Sequence, residues 1–254
     1  MTDWSAATYL KFEDERTRPA RELLAQVPLT RPGRVVDMGC GPGNSTELLV
    51  ERYPGARVTG LDSSPNMLTE AAVRVPMAAF ATADAETWIP EAGTDLVFAN
   101  AIYQWVPGHL QVLPKVLQAL APGQVLAVQM PDNLGEPTHR LMAEVAAAGP
   151  WADKLRDAQR QPLPPVATYY AALKPYATRL DIWHTVYNHV LADAAAIVEW
   201  VRATGLRRFI DPLDENERVA YLERYLARVS EAYPTTADGK VMLRFPRLFF
   251  VAQR

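Results

Sequence analysis

The chain has 254 residues, 49% of them hydrophobic, a net charge of −3 at pH 7 and one cysteine. That much apolar side chain can bury a full core, so intrinsic disorder is excluded as the organising state, and the length suits one domain spanning 1–254. The weak charge without a Lys/Arg block argues against a nucleic-acid partner, and no uncharged apolar run is long enough for a membrane span. A lone cysteine cannot staple the chain, and no signal-peptide pattern opens it, so a cytoplasmic protein with a small-molecule partner is expected.

Residues 1–30 read as an N-terminal helical segment. Val35-Val36-Asp37-Met38 is an apolar run suited to a strand covered on both faces. It runs into Gly39-Cys40-Gly41-Pro42-Gly43, where alternate glycines let the backbone turn tightly and approach a ligand, and Asn44-Ser45-Thr46 then opens a helix. A dinucleotide fingerprint places its third glycine three residues after the second. That position holds Asn44, so the dehydrogenase pattern fails by one residue. Cys40 fits the turn by its small size rather than as a nucleophile.

Arg57 to Leu61 forms a second strand and ends on Asp62, 25 positions after Asp37, close to the separation one βαβ unit needs for a ribose-binding acid. Ser63-Ser64-Pro65 caps the next helix, so Asp62 is equally readable as part of a cap. Phe80 to Ala83 leads to Asp84-Ala85, and Leu96 to Ala99 leads to Asn100-Ala101. Asp37, Asp62, Asp84 and Asn100 thus end four successive strands, along the edge where open α/β sheets bind ligands.

Leu113, Val116, Leu117 and Leu120 recur at helical spacing, Ala121-Pro122-Gly123 stops that helix, and Val125 to Met130 is the fifth strand. Residues 34–130 therefore alternate strand and helix, which predicts parallel pairing through right-handed crossovers and a cofactor-binding core. From 131 to 240 the chain is mostly helical, with breaks expected at Pro137, Pro150, Pro162, Pro164, Pro165 and Pro175, and with one strand at 181–191. Asp193 can cap a helix carrying Ile197, Val198 and Val201, and Val219, Leu222, Leu226 and Val229 mark another. A last strand, Leu243 to Val251, lies in 241–254. His184 and His189 are five apart in a strand and point to opposite faces, and His109 and His139 have no partner at ligand spacing, so no metal site is expected.

Asp37-x-Gly39-x-Gly41-x-Gly43, with Asp62, Asp84 and Asn100 behind it, resembles the first motifs of the class I S-adenosylmethionine-dependent methyltransferases. The resemblance implies a Rossmann-like α/β fold: a seven-stranded sheet with helices on both faces, the last strand antiparallel and inserted beside the fifth, and a helical lid insertion. It implies a cofactor set of Arg16, Asp37, Gly39, Gly41, Asp62, Ser63, Asp84, Ala85, Asn100 and Ala101. Within it Asp37 serves the amino group of S-adenosylmethionine, Asp62 the ribose, Asp84 and Ala85 the adenine, and Asn100-Ala101 the floor of the sulfonium site, with Arg16 on the donor's carboxylate.

The resemblance narrows further. Asp3-Trp4, Tyr9 to Ala20, Phe98 to Val106, Gln129 to Asn133, Glu136 to His139, Trp200 to Arg207 and Phe245 to Phe249 together are similar to the trans-aconitate 2-methyltransferase family over essentially the whole chain. Arg208 departs from that pattern where a proline is expected, and His184 where arginine is frequent. The implied reaction is methyl transfer to a carboxylate of trans-aconitate, or of a closely related small polycarboxylic acid, giving a monomethyl ester and S-adenosylhomocysteine. No catalytic base is required, because carboxylic acids with reference pKa values near ~4 are ionised at neutral pH. The rate comes from alignment and from exclusion of water. The spectator carboxylates need cations, preferably forked guanidinium groups. Among Arg16, Arg18, Arg21, Arg207, Arg208 and Arg247, Arg207 ranks first and Arg18 next, with Tyr103, Trp105, His184 and Arg208 completing the substrate set. Two other functions remain open at this level: methylation of a different small molecule from the same donor, and non-catalytic binding of S-adenosylmethionine.

Overall fold

The computed structural model describes residues 13–202 and 204–254; the expectations placed on Asp3, Trp4 and Tyr9 to Phe12 lie outside the described residues. In chain order the elements are α1 (Glu13–Ala25), β1 (Arg34–Met38), α2 (Asn44–Arg52), β2 (Arg57–Asp62), α3 (Pro65–Arg74), β3 (Ala79–Thr82), β4 (Leu96–Asn100), α4 (His109–Ala119), β5 (Val125–Pro131), α5 (Pro137–Ala148), α6 (Val166–Leu173), β6 (Arg179–Leu191), α7 (Ala194–Arg202), α8 (Arg207–Ile210), α9 (Glu215–Ala232) and β7 (Val241–Gln253). A 3-10 turn, Tyr103–Trp105, links β4 to α4. The chain forms two compact units. The first holds Met1–Pro131, Leu163–Thr185 and Leu248–Arg254, and the second Asp132–Pro162 and Val186–Arg247.

Among the described residues the strands form a seven-stranded sheet in the order β3-β2-β1-β4-β5-β7-β6. β1 to β5 pair in parallel, with Asp37 opposite Gly60 and Phe98, and Asn100 opposite Gln129. β7 runs the other way beside β5: Gly123 N donates to Arg254 O (2.9 Å), while Asp132 N, at the far end of β5, donates to Pro246 O (3.0 Å). The implied antiparallel strand is thus present, next to the fifth. Val35, Val36 and Met38, and all of Leu96 to Ala99, are buried, the pattern of parallel strands covered on both faces. Val36, Met38, Val97, Ala99, Leu126, Val128, Leu248 and Phe250 alternate along their strands, share one face and pack with Leu113, Val116 and Leu117 of α4. The helical spacing read from those three residues and Leu120 marks the face of α4 that is buried.

The start of α3 follows capping chemistry. Ser64 Oγ accepts from Met67 N (3.3 Å), and Pro65 occupies the first turn of α3, where its missing N–H costs nothing. In unit 2, Pro137, expected as a break, instead opens α5 for the same reason.

In unit 2, α9 corrects a second expectation. Val219 is 53% exposed, and the covered stripe is Tyr221, Tyr225 and Val229. Tyr221 OH donates to Met142 O (2.8 Å) and Tyr225 OH to Thr138 O (2.8 Å), while Tyr233 OH accepts from Thr138 N (3.1 Å). Tyrosine rings bury apolar area while their hydroxyls satisfy backbone groups of α5, which an aliphatic pattern does not register. At the start of α9, Asp214 Oδ1 accepts from Glu217 N (2.9 Å) and Asp214 N donates to Glu217 Oε2 (3.1 Å), a reciprocal capping box. Asp214→Ala is expected to destabilise the protein by about 1 kcal/mol, a fall in Tm of roughly 2–4 °C, in circular-dichroism melts; an unchanged Tm would show that this cap contributes nothing.

Candidate active site

The loop after β1 is bent by left-handed backbone at Gly39 (φ +71) and Gly41 (φ +54). The two glycines serve different ends. A Cβ on Gly39 would lie 2.5 Å from Ile102 Cβ, so this glycine exists for internal packing. A Cβ on Gly41 would meet no atom within 4 Å, so the protein leaves space over this residue. The loop is tied to β2: Gly39 N and Cys40 N both donate to Leu61 O (2.7 and 3.0 Å), and Gly41 N donates to Asp62 Oδ2 (2.9 Å). The other oxygen of Asp62 accepts from Ser64 N (2.9 Å). Asp62 therefore meets the start of α3, as the cap reading had it, and also props the glycine loop, a contact the sequence did not announce.

Beneath that loop lies Asp37, wholly buried. Ser45 Oγ and Thr46 Oγ1, from the first turn of α2, each donate to Asp37 Oδ2 at 2.7 Å, and Asp37 Oδ1 is buried with no hydrogen-bond partner. Burial pushes its carboxyl up to about 6, against the two hydroxyl donors that pull it down and with a small further push from Asp62. A carboxylate kept dry with one oxygen unmatched is poised for a cationic or hydrogen-bonding ligand. Cys40, in the same loop, is a free buried thiol whose pKa burial also raises, which fits packing rather than nucleophilic use.

Asn100, at the end of β4, completes the wall. With Thr17 and Ala20 of α1, residues 39–42, Asn44 and Ser45, it lines a small cleft. Asn100 Oδ1 is buried without a hydrogen-bond partner, and the next residue, Ala101, has φ +60. Ala83 N donates to Asp62 O (3.1 Å), which brings the end of β3 to β2, and Asp84 follows, exposed, accepting Glu86 N on Oδ1 (2.9 Å) with Ala85 buried behind it. Ser63, exposed, sits between Asp62 and the cap. The structure so brings Asp37, Gly39, Gly41, Asp62 and Asn100 to one edge of the sheet. Thr17, Ala20, Ser45 and Thr46 were missed as site residues; the adjacent hydroxyls in the first turn of α2, soon after a strand-end acid, were the available signal.

The expected substrate residues fall in both units and differ in exposure. Tyr103 is wholly buried in the core cluster, its hydroxyl raised by burial and without a hydrogen-bond partner, and Trp105 is half-buried. His184 is exposed on β6, and Arg18 is exposed and bonded to Glu22 (2.8 Å). In unit 2, Arg207 is paired with Asp211 (3.2 Å) and its side chain is only 19% exposed, whereas Arg208 is exposed and donates to Asp157 O (3.3 Å). Arg247 is buried over the Phe245 ring (4.8 Å). The side chain of Arg16 lies outside the described residues, although its backbone belongs to α1. Among the described residues no group of His, Cys, Asp or Glu could hold a metal ion, and no helix is long and apolar enough to cross a membrane.

Asp37 carries a pH signature. Its folded-state pKa is raised, so the folded protein keeps a proton that the unfolded chain releases from about pH 4 upward; stability is lost as pH rises to about 6 and is flat above. Asp37→Asn removes that loss. Relative to the parent, the variant is expected to gain on the order of 2–3 kcal/mol between pH 4 and pH 6.5 in urea unfolding. Parallel pH profiles for the two proteins would contradict the burial assignment.

Comparison with known proteins gives this geometry a context. The family profile described as a methyltransferase domain matches residues 35–123, the stretch from β1 to the end of α4. The structure of YcgJ from Bacillus subtilis superposes with a TM-score of 0.61 at 12% identity, covering 93% of this chain and 98% of that one. A phosphoethanolamine N-methyltransferase 2 from Haemonchus contortus, solved in complex with S-adenosyl-L-methionine, has a TM-score of 0.53 at 18% identity and covers 93% of this chain and 52% of its own. At such identities the likeness speaks for the fold alone. A relative from Rhodopseudomonas palustris (strain HaA2) named trans-aconitate 2-methyltransferase is 61% identical over 254 residues, 99% of each chain. With that identity carried across the full length, the chain belongs to the trans-aconitate 2-methyltransferase family.

Proposed function

We propose that this protein transfers a methyl group from S-adenosylmethionine to a carboxylate of trans-aconitate, releasing a monomethyl ester and S-adenosylhomocysteine, as a cytoplasmic enzyme on a small polycarboxylic acid. The observation that carries the donor is Asp37, whose buried Oδ1 lacks a partner directly under a glycine turn. The full-length similarity to relatives of that name supports the acceptor.

The residues present fit the donor. Asp37, Asp62 and Asp84 stand at three strand ends and make the edge anionic, which favours a ligand bearing an ammonium and a sulfonium. In this reading the free oxygen of Asp37 takes the amino group, Asp62 and Ser63 take ribose hydroxyls, Asp84 and the Ala85 amide take the adenine, and Arg16 takes the carboxylate. The open space over Gly41 lets backbone lie against the ligand, and Asn100 with Ala101 forms the floor. Bound there, S-adenosylmethionine supplies an electrophilic carbon on a positively charged sulfur. The acceptor is ionised already, so the chain need not move a proton; its tasks are to hold, orient and keep water out. Arg207, which pairs with Asp211, keeps its first rank among the candidate arginines for a spectator carboxylate because a fork of guanidinium donors suits a planar anion.

Two measurements test this. Methyl-labelled donor incubated with trans-aconitate is expected to yield a base-labile labelled ester. Binding of the donor without transfer to this acid would overturn the acceptor, and absence of calorimetric binding for both S-adenosylmethionine and S-adenosylhomocysteine would overturn the whole reading. Gly41→Ala is expected to fold with a stability cost of only about 1–2 kcal/mol from its left-handed backbone, yet weaken S-adenosylhomocysteine at least roughly tenfold in calorimetry. Gly39→Ala, whose Cβ would collide with Ile102 at 2.5 Å, is expected to lower Tm far more; equal affinity in Gly41→Ala and parent would remove the loop from the donor site.

A further inference from the structure

Backbone strain in unit 1 gathers at the residue after β4. Ala101 is the only non-glycine residue among those described with positive φ (+60), a conformation in which a Cβ crowds the neighbouring carbonyl. Two hydrogen bonds hold it there. Ala101 N donates to Gln129 O of β5 (2.9 Å), and the side-chain amide of Gln104 donates from Nε2 to Ala101 O (2.6 Å). Gln104 is itself buried, in the 3-10 turn, and its Oε1 has no hydrogen-bond partner, nor has Oδ1 of Asn100 on the other side of Ala101. Asn100 lines the cleft. A turn shaped for stability alone would carry glycine at 101 and would leave no unmatched oxygens beside it. Strain of this kind persists where the surroundings over-determine it, and the position of the wall is what the arrangement secures.

We propose that Gln104 is a positioning residue for methyl transfer: its amide clamps the Ala101 carbonyl, keeps Ala101 left-handed, and thereby fixes the Asn100 side chain at the cleft wall. The role rests on the function proposed above. Transfer to an ionised carboxylate has no proton step to be slowed, so a displaced wall costs alignment, and the loss falls on kcat before it falls on binding.

The test combines structure and rate. In protein carrying 13C-labelled alanine, Gln104→Leu is expected to move the Ala101 Cα and Cβ shifts out of the left-handed range. It is expected to lower kcat about 10- to 100-fold, while the acceptor KM and the Kd of S-adenosylhomocysteine stay within about threefold of parent. Adding Ala101→Gly to Gln104→Leu should restore most of kcat, because glycine occupies the left-handed region without the Cβ penalty. Should Gln104→Leu not fold, Gln104→Met keeps much of the shape, removes the donor and carries the same expectations. Unchanged Ala101 shifts, or the same kcat loss with and without Ala101→Gly, overturn the clamp. Turnover by the unaltered chain is measured first: its absence overturns the methyl-transfer reading and this role with it, whereas parent turnover with parent-like kcat in Gln104→Leu overturns the role alone.

Discussion

Asp37 sits at the end of β1 in a place where a carboxylate is expensive, and the surrounding structure is organised around keeping it there. Both hydroxyls of the first α2 turn are spent on one of its oxygens, at 2.7 Å each, and the other oxygen is left dry and unmatched. Two charge-assisted hydrogen bonds do not offset full burial, since the carboxyl still rises to about 6. In the proposed function, a residue that lowers stability at neutral pH and yet anchors the start of a helix is held for a ligand. The glycine turn above it follows from the same need, because backbone can lie over a buried charge and against a ligand only where side chains are absent.

The rest of the edge reads as support for that turn. Asp62 spends one oxygen on the Gly41 amide and the other on Ser64, so the loop after β1 is hung from the end of β2. Parallel pairing sets Asp37 beside Gly60 and Phe98, which puts β2 and β4 on either side of the buried acid. The chemistry proposed here asks for little else. A nucleophile that is already ionised needs neither a base nor an oxyanion donor, and rigid strand ends are the economical means of aligning two ligands. Strain at Ala101, held by Gln129 and Gln104, belongs to the same logic of position.

Unit 2 is built by a different device. Three tyrosines of its C-terminal portion engage backbone groups of α5 at Thr138 and Met142, so the helix pair is fastened by buried hydrogen bonds as much as by apolar contact. Such bonds fix register, since a helical shift by one residue would leave three hydroxyls and their carbonyls or amides unmatched. His189, its ring tilted against Trp200 at 4.5 Å and edge-on to Phe245, adds an aromatic cluster to the same unit.

Much of unit 1 was legible in the order of residues alone. Apolar runs ended by Asp37, Asp62, Asp84 and Asn100 announce strands, and strand periodicity with helical stretches between them dictates parallel pairing; these are local properties, carried by residues near one another in the chain. What residue order could not determine was how each acid is used. Whether Asp62 caps a helix, props a loop or does both depends on the distance between β1 and β2, and the pairing of Asp37 with Ser45 and Thr46 depends on the angle at which α2 leaves the turn. The tyrosine stripe of α9 was hidden because spacing rules count aliphatic side chains, while Tyr221 and Tyr225 are buried through partners some eighty residues earlier in the chain. Local sequence therefore determined the elements and the edge where a ligand would bind, and tertiary structure alone decided which polar atoms are matched and which are left over, because burial and hydrogen bonding are relations between segments that only folding brings together.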